Sequence, residues 1–129
     1  MESTRLVSAV SNFINFISNA FSPWWFLSAA IAFEVAGTTL MKLSDGLRNL
    51  TPTIAMFGFY ACAFACNAIA VRKLDLSVTY AIWSGVGTAA TAFIGFMYFK
   101  EPLTAMRLLG IVLIISGVFA LRLSVPAKL

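Results

Sequence analysis

The chain contains no histidine at all, and only two cysteines among its 129 residues. Without imidazole, the commonest metal ligand and the usual general base near neutral pH are both missing. Cys62 and Cys66 stand one helical turn apart inside an apolar stretch. They share a helix face but are poorly placed to bridge one another, and they read as small packing residues. No metal and no cofactor is expected. The five acidic residues form no nucleophile–base constellation, so an enzyme is not expected either.

Charge is equally scarce. Charged residues make up 11% of the chain and hydrophobic ones 60%, against about 25% and about 45–50% in soluble proteins. Such a chain cannot cover itself with polar surface in water, so it belongs in lipid. The net charge of +4 comes from Lys and Arg scattered between apolar runs. Nucleic-acid binding is therefore not expected, and helix-end anchoring is. The length allows one domain at most.

What is present is four apolar runs, each about long enough for a helix to cross a bilayer. They cover residues 24–41, 53–71, 76–99 and 104–123, separated by short charged or Pro-containing links. Links this short predict antiparallel neighbouring helices. Trp24 and Trp25 suit the interfacial belt where the first span begins. Residues 1–22 follow another pattern. At about 100° per residue, Leu6, Val7, Val10, Phe13, Ile14 and Phe16 fall on one face, with Ser8, Ser11, Asn12, Asn15, Ser18 and Asn19 on the other. A signal peptide would be continuously apolar, so an amphipathic helix lying in the membrane interface is predicted. Its polar face is uncharged and should add little attraction to anionic lipid. The chain thus divides into this leader and a four-helix membrane domain at 23–129.

Orientation is nearly undetermined. Arg5, Arg72, Lys73, Arg122 and Lys128 fall on one side, and Lys42, Arg48, Lys100 and Arg107 on the other. That near balance predicts insertion both ways up.

One residue breaks the apolar rule. Glu34 is the single ionisable side chain within residues 24–41. A charge at mid-bilayer costs roughly 2.5–3.5 kcal/mol on insertion scales, so such acids are rare and usually functional. Moving a proton or a cation is the expected use. Ala30, Gly37 and Thr38, one turn away, are small enough to admit another backbone or a ligand. Tyr80, Trp83 and Gly87 form one stripe on the third span, a wall suited to a lipophilic cation. Gly85 and Gly87 weaken that helix and could bend it. Gly110 and Gly117 make a small-residue seam on the fourth span. Each has a plainer reading: aromatic pairs are often packing, glycine seams are common in membrane helices, and Tyr60 alone reads as packing. A channel or a structural membrane subunit is the competing class. Its acid would need a cationic partner, and no Lys or Arg lies deep in a span.

Two motifs go further. Glu34-Val-Ala-Gly-Thr-Thr-Leu-Met-Lys42 followed by Ser44-Asp45-Gly46, and Tyr80-Ala-Ile-Trp-Ser-Gly-Val-Gly87, resemble the first- and third-helix signatures of the small multidrug resistance family. The resemblance covers about residues 24–124 and implies an all-α, four-span exporter of the bacterial inner membrane, working as an antiparallel dimer. It implies exchange of protons for hydrophobic or quaternary ammonium cations. Glu34 would be the shared proton and substrate site, and Tyr60, Tyr80 and Trp83 would line the chamber. Gly85 and Gly87 would form the bend, and Gly110 and Gly117 the dimer contact. Gly37-Thr38-Thr39 resembles the multidrug branch, whereas guanidinium exporters typically carry Trp where Gly37 stands. Lys100-Glu101 is similar to guanidinium exporters. Asp75-Leu76-Ser77-Val78 is similar to members paired as heterodimers with a paralogue, polyamine exporters included. Ala65 stands where the prototype has a large aromatic, and the leader is not a usual feature of the family.

Overall fold

A computed structural model describes residues 2–124, which form five helices and no strand: α1 Glu2–Ala20, α2 Pro23–Leu43, α3 Leu50–Ala70, α4 Leu76–Met97 and α5 Ala105–Ser124. Lys128 lies outside the described residues. Helices α2 to α5 are each long and apolar enough to cross a membrane. At about 1.5 Å per residue, 20–22 residues span about 30 Å, the thickness of the hydrocarbon layer.

The boundaries have local causes. Pro23 opens α2, where a missing N–H costs nothing and the fixed φ already suits a helix. Helix α3 begins at Leu50, three residues before the expected start, because Pro52 is tolerated within a first turn. The α2–α3 connection carries three successive residues at positive φ: Asp45, Gly46 and Leu47. Buried Ser44 holds it together. Its hydroxyl donates to the Met41 carbonyl at 2.7 Å and accepts from the Leu47 N–H at 3.3 Å. The Asn49 side chain donates to the Leu43 carbonyl at 3.2 Å.

Pairwise contacts fix the topology. Helix α2 packs along α3, and also against α4, which in turn packs against α5. Glu34 lies beside Gly87 and Lys42 beside Glu101, so α2 and α4 run in the same direction. Gly85 meets Val118 and Ile114, so α5 returns antiparallel to α4. The Arg122 guanidinium sits 5.1 Å from a Trp24 ring, tying the end of α5 to the start of α2. The expectation that successive spans are neighbours therefore holds for α2–α3 and α4–α5 but not at the backbone level for α3–α4. Bulk explains the difference. Phe64 and Trp83 meet edge-to-face between α3 and α4 with ring centroids 5.8 Å apart, while Gly87 lets α4 close on α2 instead.

Helix α5 has no buried residue. A Cβ built at Gly110 or Gly117 would meet nothing within 4 Å. Helix α4 runs without interruption through Gly85 and Gly87.

Candidate functional site

Glu34 is half-buried on α2, facing α4. Its Oε1 accepts a hydrogen bond from the Thr38 hydroxyl, one turn on, at 3.3 Å. The Thr38 and Tyr60 hydroxyls lie 3.1 Å apart and share a hydrogen bond. A three-residue chain therefore runs from α3 through Thr38 to the acid. Glycine makes it possible at both ends. A Cβ at Gly37 would come within 3.0 Å of the Tyr60 ring, and one at Gly87 within 2.7 Å of Glu34 Oε2. Among the described residues, no Lys or Arg forms an ion pair with Glu34.

The acid opens onto a cleft of about 720 Å³ between α2 and α4, lined by Thr38, Tyr80, Trp83, Ser84, Gly87, Thr88 and Thr91 among others. Tyr80 and Trp83 meet edge-to-face with centroids 5.9 Å apart. The buried Trp83 indole N–H finds no acceptor within the described residues. A concave, largely apolar wall with a few polar groups around one carboxylate is the usual form of a small-molecule site.

Most of the sequence-predicted residues converge here, with differences in rank. Glu34, Thr38, Tyr80, Trp83 and Gly87 line the cleft. Ala30 and Gly37 are buried in the α2 packing, and Tyr60 stands behind Thr38. These three support the wall of the single chain rather than face its cleft. Gly85 faces away, against Val118 of α5. Gly110 and Gly117 lie on α5, outside the cleft.

The mouth of the cleft was missed. Lys42 Nζ bonds Glu101 Oε1 there and sits 4.5 Å from the centroid of the Phe99 ring. Arg107 donates to Glu101 Oε2 at 3.3 Å and to the Pro102 carbonyl at 3.1 Å. Gly95 admits this carboxylate, since a Cβ there would lie 3.0 Å from Oε2. Extending the Tyr80–Gly87 stripe by further turns reaches Thr91 and Gly95, so half of this rim was legible in principle.

The hydrogen bond and charge of Lys42, reinforced by Arg107, hold the Glu101 carboxyl below its ordinary value of 4.5. A lowered carboxyl strengthens the clasp at pH above the ordinary carboxylate range and releases it as pH falls through the lowered value. The clasp is thus expected intact at neutral pH and open only in acid. Carboxyl carbon NMR of Glu101 should titrate below the ordinary range, and Lys42→Met should move it back up. A Glu101 signal indifferent to Lys42→Met would remove the clasp.

Four candidate spans, an acid with no cationic partner among the described residues and an aromatic-lined cleft beside it describe a multi-pass membrane protein. Sequence comparison then names the class: the Small Multidrug Resistance protein profile matches residues 22–114. The multidrug resistance protein EbrA of Bacillus atrophaeus is 44% identical over 97 residues, covering 75% of this chain and 92% of the relative. The multidrug resistance protein EbrB of Bacillus licheniformis is 44% identical over 97 residues, covering 75% and 82%. The nicotine metabolites export pump subunit NepA of Paenarthrobacter nicotinovorans is 38% identical over 104 residues, covering 81% and 90%. This chain belongs to the small multidrug resistance family. It is a multi-pass protein of the bacterial inner membrane, in a family of transporters rather than enzymes.

Proposed function

We propose that this chain exports hydrophobic or quaternary ammonium cations in exchange for protons, with proton and substrate competing for Glu34. The observation that carries the reading is an acid with no cationic partner among the described residues, half-buried in an aromatic-lined cleft. An apolar surround disfavours a bare carboxylate, so either a proton or a bound cation neutralises it. Tyr80 and Trp83 offer ring faces to the cation, each such contact adding roughly 0.5–2 kcal/mol when desolvated. Thr38 and Tyr60 hold the carboxyl in place. Cation uptake into proteoliposomes under an imposed pH gradient tests this; uptake indifferent to the gradient would instead favour a channel or a structural subunit.

Alternating access requires the chamber to open on either side. In the proposed mechanism two copies pair antiparallel and α4 flexes about Gly85 and Gly87. Helix α5, which packs on α4 but has no buried residue, supports the pairing, with room at Gly110 and Gly117 for a close neighbour. Gly110→Leu with Gly117→Leu should weaken dimerisation by roughly 5- to 150-fold, the effect of about 1–3 kcal/mol of overpacking, as read by cross-linking in mild detergent. Carboxyl-terminal reporters should read on both membrane faces. An unchanged dimer fraction, or a single-sided reporter, would refute the arrangement.

The relatives' names support a second reading, in which the partner is a paralogue. EbrA and EbrB match equally well, and NepA is named a subunit. Activity of this chain expressed alone separates the two. Binding measured in parallel with a quaternary ammonium, guanidinium and a polyamine identifies the cargo class.

A further inference from the structure

Helix α1 precedes the family match, and much of its apolar face is uncovered by the other described residues. Leu6 is 66% exposed, Phe13 64% and Phe16 71%. Its polar face is docked. Arg72, in the α3–α4 turn, donates from Nη2 to Asn15 Oδ1 at 2.8 Å. Lys73 Nζ donates to Asn19 Oδ1 at 3.0 Å and to the Ser18 carbonyl. The leader, whose own charges are Glu2 and Arg5 near its start, thereby acquires two cations from the turn it lies on. Asp75 is the acid of the same turn, which leaves positive charge in excess.

Arg72 also closes one end of an open groove of about 350 Å³, whose other walls are Leu6, Val7, Val10, Ser11 and Ile14. The groove adjoins the ends of candidate spans, where a membrane surface is expected. The turn joins two spans, and α1 leads directly into α2 at Pro23. A strip of aliphatic side chains ending at a guanidinium matches an acyl chain ending in a phosphate. A guanidinium has five N–H donors, so the bond to Asn15 does not exhaust it, and its fork suits phosphate oxygens.

We propose that this groove binds one anionic phospholipid, its acyl chain along Leu6, Val10 and Ile14 and its phosphate on Arg72, so that α1 becomes a lipid-dependent clasp on the α3–α4 turn. The site is independent of Glu34 and does not depend on what the chamber carries.

The test uses the full chain in mild detergent, titrated with phosphatidylglycerol, with phosphatidylcholine of the same acyl chains, or with inorganic phosphate, and read by native mass spectrometry. Phosphatidylglycerol should bind saturably and about fivefold tighter than phosphatidylcholine, the effect expected of one basic residue near a lipid surface. Inorganic phosphate should not displace it. Arg72→Gln should remove the preference, Arg72→Lys should keep part of it, and Val10→Ser with Ile14→Ser should weaken both lipids. Circular dichroism matching the parent certifies each variant as folded. Hydrogen exchange at residues 71–75 should slow with phosphatidylglycerol but not with phosphatidylcholine. Equal binding of both lipids in parent and Arg72→Gln would reduce the groove to ordinary boundary lipid and overturn the proposal. Displacement by inorganic phosphate would overturn it in favour of a simple anion site.

Discussion

Glu34→Gln lowers cation affinity by roughly 10- to 100-fold and reduces proton-driven uptake to background. Glutamine has nearly the shape of glutamate and can still accept from the Thr38 hydroxyl, now 3.3 Å from the carboxylate, so the helix packing is retained. The charge is lost. A contact to a charged group in a desolvated site is worth roughly 1.5–3 kcal/mol, which converts to the stated loss of affinity. Coupling fails altogether, because an amide carries no proton that substrate can displace. Quaternary ammonium binding at two pH values and flux under a pH gradient measure the two effects separately. Glu34→Asp should retain some binding with a shifted pH profile, since the carboxyl retreats from Thr38. Gradient-driven uptake that survives in Glu34→Gln would end the mechanism.

The second large effect belongs to a residue with no functional group. Gly87→Val places a Cβ 2.7 Å from Glu34 Oε2, a distance that real contacts do not tolerate. Either α4 backs away from α2 or the carboxylate leaves its place beside Thr38. The carboxylate is the far end of a flexible side chain, so its displacement is the easier adjustment. Losing a contact to a charged group costs roughly 1.5–3 kcal/mol, so substrate affinity should fall by about tenfold or more. Gly58→Ala is the matched control on α3, where an added Cβ meets nothing within 4 Å, and its affinity should equal the parent's. Thermal melting alongside binding separates a displaced acid from a loosened fold. A Gly87→Val protein with parental affinity would show that the glycine is not there to admit the carboxylate.

Much of the architecture was legible because lipid imposes one-dimensional constraints. Helix positions follow from apolar runs punctuated by Pro23, Pro52, Lys42 and Arg72, and the leader follows from its periodicity. Glu34 was legible for the same reason: one charge in an apolar run cannot be ignored. The cleft wall at Tyr80, Trp83 and Gly87 shares a face of one helix, so local spacing was enough. What spacing does not disclose is which distant residues meet. Lys42 and Glu101 are 59 positions apart, and Asn15 and Arg72 are 57 apart. Both pairs looked like solvated helix ends or plain polar faces. Helices α3 and α4 are neighbours as expected, but they meet through Phe64 and Trp83 and not through close backbones. Chain connectivity alone does not weigh side-chain volume against a glycine on another surface.

The stitched turn at Ser44 has a consequence for how this molecule moves. With Asp45, Gly46 and Leu47 fixed at positive φ by bonds from both helix ends, the first hairpin behaves as a stiff fork. The other connection is the short segment 71–75, between α3 and α4, which meet through side chains and not through close backbones. The acid rides on one prong of that fork and the aromatic wall on the opposing half. If the proposed exchange spreads the halves, the chamber would widen while the tether from Thr38 to Glu34 travels intact, and volume and charge would be set by separate parts of the molecule.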